Sequence, residues 1–350
     1  MINFDIPTLP FMVKKESKRN FINLKSNENL TGDLLRAEMS SLAFILSSED
    51  IYKYPVYDEI YAKASLYTGT QNILLTSGGH DAIRIVLSSL SKNNKALLTA
   101  PNYNGYELYF SLYKIPYLIH MRGPEEPHNL DELVSRAKHN KCNLIVITNP
   151  DPYSGDFFDN ETLASFIQCC DAKGISVIID EVYTGLGKEP HTALTDIYDN
   201  LILINSFAKS FGLPGLRAGW IVAQDKYLLR LRNHFPETNL SGLSIKILLH
   251  LLDRPLVLQH YRDNLRLCRR NMIIGMKKVN DIIPYENSVA NFILFKSLKN
   301  VSANRLWETL KEKGFYVANL NSIEGYENYF RITVCSRHEY EGLLNELSRI

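Results

Sequence analysis

From about residue 70 onward, short β-rich apolar runs alternate with amphipathic helical segments, and this alternation constrains the fold more than any other feature of the sequence. Candidate strands are Ala96–Ala100, Tyr117–Met121, 143–148, Ser176–Asp180, 201–205 and 218–223. Between them lie segments whose apolar residues recur at helical spacing, such as Ile83, Val86, Leu87 and Leu90, or Leu163, Phe166, Ile167 and Cys170. Strands separated by helices pair in parallel, because the helix carries the chain back across the sheet face. The expected class is therefore α/β, with a mostly parallel central sheet between helices.

After Ser241 the pattern becomes a long helical stretch running towards Asp281, broken near Arg254–Pro255, where proline removes a backbone donor. Beyond it, 291–295 and 329–334 read as strands flanking a helix at 303–313, a small α+β C-terminal domain. The expected division is an N-terminal arm with part of the small domain at 1–45, a large domain at 46–240, a helical connector at 241–280 and the small domain at 281–350.

The 350 residues are 45% hydrophobic and 22% charged, with a formal net charge of +1, and the basic residues are scattered rather than gathered in runs. Neither nucleic acid nor an anionic membrane is an expected partner, which leaves a small molecule. No segment is apolar for long enough to cross a bilayer, and residues 1–20 carry no continuous apolar stretch. A cytoplasmic protein is expected. Cys142, Cys169, Cys170, Cys268 and Cys335 lack ligand-like spacing and paired histidines, so no metal site is expected.

In sheets of this kind ligands gather at the carboxyl ends of the strands, and several polar signals fall there. Lys209 follows a buried strand in Asn205-Ser206-Phe207-Ala208-Lys209-Ser210-Phe211-Gly212-Leu213-Pro214-Gly215-Leu216-Arg217, set among apolar and small residues that disfavour its charged form and free the amine for Schiff-base chemistry. Asp180 ends a strand of nearly unbroken hydrophobics, where a carboxylate needs a partner. Thr76-Ser77-Gly78-Gly79-His80-Asp81 opens an amphipathic helix, whose N-terminal N–H groups suit an anion. The strand ending at Ala100 runs into Pro101-Asn102-Tyr103, and that ending at Thr148 into Asn149-Pro150-Asp151-Pro152-Tyr153-Ser154-Gly155. Arg331 lies within a C-terminal strand, where a cation calls for an anionic partner.

Together these segments resemble fold-type I pyridoxal-phosphate (PLP) aminotransferases of class I/II, and Asn23 to Gly32 with Tyr52 to Tyr57 resemble the histidinol-phosphate aminotransferase branch. The resemblance spans essentially the whole chain. It implies that Lys209 holds PLP as a Schiff base and that Asp180 keeps the pyridine nitrogen protonated, making the ring a better electron sink. It implies that Asn149 and Tyr183 donate to the phenolic oxygen and that Tyr103 stacks on the ring. Gly79, His80, Ser206 and Arg217 would bind the cofactor phosphate, joined by Tyr54 from a neighbouring subunit of a homodimer with shared active sites. Arg331 would grip the acidic group of the substrate, with Asn27 beside it. The implied reaction moves an amino group between an amino acid or an amino-alcohol phosphate of the histidinol-phosphate kind and a 2-oxo acid. Threonine-phosphate decarboxylases share the fold and the core motifs, so a PLP-dependent decarboxylase or lyase is the alternative.

Five positions depart from the family pattern. Ala208 replaces a phosphate-binding serine, Leu30 a proline, Cys335 a glycine, and Tyr153 and Ser154 a proline and a threonine. Loss of one hydroxyl from a phosphate cup costs on the order of 1 kcal/mol, so cofactor binding should survive. A dinucleotide-binding protein is disfavoured, because the glycine fingerprint is missing after every candidate strand.

Overall fold

The computed structural model describes residues 21–32, 38, 40, 41, 45–90, 93–124, 126–236 and 239–350. In chain order its strands are β1 (Ile22–Asn23), β2 (Ile73–Thr76), β3 (Ala96–Ala100), β4 (Tyr117–Met121), β5 (Leu144–Thr148), β6 (Ser176–Asp180), β7 (Leu201–Ser206), β8 (Gly219–Ala223), β9 (Ile282–Pro284), β10 (Phe292–Ser297), β11 (Phe315–Tyr316), β12 (Ala318–Asn319) and β13 (Tyr329–Thr333).

Seven of them form one sheet in the order β2-β8-β7-β6-β5-β3-β4. The neighbours from β4 through β3, β5 and β6 to β7 pair in parallel, and β8 runs antiparallel to both β7 and β2. All five residues of β5 are buried, as are all six of β7, which is why these strands read as unbroken apolar runs. Helices cover both faces. Gly79–Ser88 packs Ala82, Ile83, Val86 and Leu87 into a core shared with Leu98, Val146, Ile178 and Ile204. Asn160–Asp171 and Leu130–His139 cover the other face against Ile145, Ile147 and Ile179. Truncating a residue such as Ile179 to alanine would cost about 2–5 kcal/mol.

The helical stretch after Ser241 is two helices, Gly242–Leu252 and Pro255–Met276. Pro255 occupies the first turn of the second, where its missing N–H has no intrahelical acceptor to lose, so it restarts the helix rather than kinking it. The C-terminal part holds an antiparallel sheet in the order β12-β13-β10-β9, flanked by the helices Ala303–Glu312 and Arg337–Arg349. The N-terminal segment joins this part: β1 pairs in parallel with β11, and Leu30 bridges to Cys335.

Three differences from the sequence expectation matter. The sheet has a seventh strand, β2, directly before Ser77-Gly78-Gly79. Its neighbour β8 is antiparallel. The small domain also has short strands at β9, β11 and β12, which sequence patterning did not mark.

Candidate active site

The rim at the carboxyl ends of the parallel strands collects the residues singled out by sequence: Gly79 and His80 after β2, Tyr103 after β3, Asn149 after β5, Asp180 at the end of β6, and Ser206 with Lys209 at the end of β7. Arg217 precedes β8, which starts at the same rim because it runs the opposite way. Arg331 approaches from β13. A cleft of about 350 Å³ opens here, lined by Lys25, His80, Tyr103, Tyr153, Tyr183 and Arg331 among others.

Lys209 sits in the one-turn helix Phe207–Ser210, started by Ser206, whose hydroxyl accepts from Ala208 N at 3.1 Å. Its Nζ donates to the carbonyls of Ser26, at 3.1 Å, and Asn27. Burial, reinforced by the positive charge of Arg331, lowers its pKa to about 7. Asn27 links the lysine to Tyr183, because its side-chain amide donates to the Tyr183 hydroxyl at 2.9 Å. Burial raises the pKa of that phenol, so it stays protonated.

Asp180 is 4% exposed and has no cationic partner among the described residues. Its carboxylate accepts from Val182 N at 3.1 Å and from the Tyr106 hydroxyl at 3.0 Å, yet burial still pushes its pKa up to about 6. Asn149 is fully buried, with both ends of its amide engaged by the backbone of Phe158 and one amide hydrogen left over. Tyr103 is half exposed, and its hydroxyl meets His80 Nδ1 at 3.0 Å, while the Tyr109 hydroxyl meets Nε2 at 2.8 Å. Burial and the nearby Arg217 charge lower the His80 pKa, so the ring is neutral and bridges the two phenols.

The loop for an anion is built by close backbone approach. Gly78 has φ of +90°, and a Cβ there would stand 3.1 Å from Arg217 Nη2. At Gly219 a Cβ would stand 2.7 Å from the carbonyl oxygen of Asn205. The Arg217 guanidinium therefore lies against the start of the Gly79–Ser88 helix, donating to Pro214 O at 3.2 Å. Ser206 is buried, and its Oγ donates to Ala218 O at 3.0 Å.

Arg331 has no ion pair among the described residues. It donates to the carbonyls of Pro152 and Lys25, its Nε is buried without a partner, and its guanidinium centre lies 5.2 Å from the Tyr153 ring and 5.0 Å from that of Phe292. A cation held between two aromatic faces with a spare donor suits an incoming anion. Tyr54 stands apart from the cleft. It is 88% exposed, beside the apolar neighbours Ile51, Tyr52 and Val56.

Sequence reasoning missed Tyr106, whose hydroxyl reaches Asp180 from 74 residues away, and the contact of Asn27 with Tyr183, 156 residues apart. One position in a run of tyrosines carries no local sign of its partner.

These residues suit PLP. A buried carboxylate lacking a cation fits a protonated pyridine nitrogen, a lysine poised near neutrality fits a covalent link to the cofactor, and the loop at Gly78 fits a phosphate. Fold and site together define a PLP-dependent transferase of fold type I. The chain belongs to the aminotransferase class I and II family, whose model matches residues 19–347. It is 25% identical, over 99% of its own length and 95% of the other's, to histidinol-phosphate aminotransferase of Caldanaerobacter subterraneus subsp. tengcongensis. The structure superposes on histidinol-phosphate aminotransferase from Clostridium acetobutylicum with a TM-score of 0.82 at 18% identity, covering 94% of this chain and 98% of that one. It superposes on L-threonine-O-3-phosphate decarboxylase from Porphyromonas gingivalis with a TM-score of 0.77 at 18% identity and the same coverage. The chain is thus a PLP-dependent aminotransferase.

Proposed function

We propose that the enzyme takes its amino group from a donor bearing a phosphate or carboxylate, of the histidinol-phosphate kind, and delivers it to a 2-oxo acid. The observation that carries this reading is the nearness of a lysine with a pKa of about 7 to a guanidinium on β13 without an ion-pair partner among the described residues. One group moves protons; the other anchors an anion.

Bound PLP would act as an electron sink for a carbanion at the carbon bearing the amine. In this reading Asp180 holds the pyridine nitrogen cationic, Asn149 and Tyr183 donate to the phenolic oxygen, and Tyr103 stacks on the ring. Gly79, His80, Ser206 and Arg217 hold the phosphate. Lys209 Nζ, which donates to the carbonyls of Ser26 and Asn27, would hold the cofactor and would move a proton to and from the substrate carbon. A pKa near 7 leaves comparable amounts of both forms of the amine at neutral pH, which suits a group that must accept and return the same proton. Arg331 serves both half-reactions, gripping the phosphate or carboxylate of the donor and then a carboxylate of the acceptor, with Asn27 beside it.

The exposed apolar group around Tyr54 supports a homodimer in which Tyr54 reaches the cofactor phosphate of the partner subunit. The division of the chain near residues 45, 240 and 280 belongs to the same reading, with the cleft between the two larger parts. Five free thiols suit a reducing compartment, hence the cytoplasm.

The test is borohydride reduction of the PLP-loaded protein with peptide mapping, followed by a donor screen that includes histidinol phosphate. Label on Lys209 and donor-dependent conversion of 2-oxoglutarate to glutamate are expected. Release of carbon dioxide without consumption of a 2-oxo acid would instead make the enzyme a decarboxylase of the threonine-phosphate kind.

A further inference from the structure

Directly after Asp180, Glu181 is buried at 1% exposure against His191, also 1% exposed. Glu181 Oε1 accepts from the backbone N of His191 at 2.8 Å and from its Nδ1 at 2.6 Å. The other ring nitrogen, Nε2, points at the carbonyl oxygen of Phe158 at 3.0 Å. A carboxylate and a carbonyl both only accept, so each ring nitrogen faces an acceptor. The Phe157 ring stacks on the imidazole with centroids 5.1 Å apart and keeps it from turning.

Phe158 is the residue that holds Asn149. Its N–H donates to Asn149 Oδ1 at 2.8 Å, and its carbonyl accepts from Asn149 Nδ2 at 2.9 Å. An amide gripped at both ends by one residue cannot turn over, so the remaining Nδ2 hydrogen has a fixed direction. The same Phe158 carbonyl also faces His191 Nε2. We propose that His191, anchored by Glu181, is a positioning residue: it fixes the backbone of Phe158 and through it the direction in which Asn149 donates to the cofactor. This rests on the reading that Asn149 faces the phenolic oxygen of PLP.

A donor on that oxygen makes it a poorer acceptor for the proton on the neighbouring Lys209 nitrogen, so the proton leaves at lower pH. Misdirecting the donor should therefore raise the midpoint of the pH-dependent change in the visible spectrum of the PLP-loaded protein. Loss of the whole amide in Asn149→Ala should raise it by about one unit, the equivalent of one ordinary hydrogen bond. His191→Phe, which keeps a ring and its stacking but removes both ring nitrogens, should raise it by roughly half as much. Glu181→Gln, nearly isosteric, should shift it the same way by less.

Melting temperature is followed alongside. A lower melting temperature with an unmoved midpoint in both His191→Phe and Glu181→Gln, while Asn149→Ala does move it, would overturn the inference and leave His191 a packing residue. An unmoved midpoint in Asn149→Ala would instead overturn the reading of Asn149 and the inference with it. If His191→Phe does not fold, Glu181→Gln decides alone.

Discussion

The two sheets contribute to the cleft in different ways. The seven-stranded sheet places its polar side chains where strands stop: Asp180 is the last residue of β6, Asn149 follows β5, and Lys209 lies three residues past β7. The four-stranded sheet places Arg331 in the middle of β13, opposite Leu294 of β10 and Ala318 of β12. At the rim, direction is set residue by residue through loop geometry and local hydrogen bonds. Within β13 it is set by register, because a slip of one residue would send Arg331 to the other face. The rim can therefore assemble reactive groups of several kinds, while the paired strand presents one cation in a fixed direction.

This contrast predicts a graded series. The largest effect falls on the amine: Lys209→Ala should lose transamination by at least about a thousandfold, read as keto-acid turnover under saturating PLP. Asp180→Asn should follow, with turnover down about a hundredfold or more and weaker PLP binding, because the pyridine nitrogen loses its anion. Arg331→Lys keeps the charge but loses the planar fork, and should raise KM for anionic substrates about tenfold with little change in kcat. An Arg331 variant that lowers kcat as much as Lys209→Ala would erase the distinction between the two sheets. Smallest is Tyr106→Phe, expected to weaken PLP binding about fivefold in equilibrium titration, the worth of one hydrogen bond to Asp180.

The same groups set the pH dependence of the cofactor-free protein. Burial holds Asp180 above its unfolded pKa, so the native state binds more protons than the unfolded chain between about 3.8 and about 6, and stability is lost as pH rises through that window. Lys209 is held below its unfolded value, so the unfolded chain binds more protons between about 7 and about 10.5, and stability rises with pH there. Denaturant melts should show Asp180→Asn gaining stability over the parent at pH 8, by ~1–3 kcal/mol, and little at pH 4. Lys209→Met should gain most below pH 7. A site that destabilises its own empty fold in this manner spends that energy on its ligand.

Much of this was legible in the sequence, for physical reasons that vary by element. Strands β3, β5, β6 and β7 are buried on both faces, and burial wrote itself as continuous runs such as Ile178, Ile179 and their neighbours. Strand β2 has four residues and β11 only two, too few for any periodicity, and each exists through its pairing with β8 or β1. The rim residues were found because each falls beside a turn with its own chemistry. Tyr106 and His191 were not, since their partners are fixed by the folded sheet. Two departures from the family pattern, Leu30 and Cys335, bridge one another through the backbone, and Cys335 is fully buried. Nothing in the structure explains Ala208.

That bridge has a mechanical consequence. Residues 22 to 30 are fastened to the C-terminal part along their length, through Phe315–Tyr316, through Thr333 and through Cys335, while Asn27 also touches Lys209 on the other sheet. Asn27 is thus a knot between the two sheets: its backbone is held by Thr333 and Asn291, while its carbonyl and its side-chain amide reach Lys209 and Tyr183.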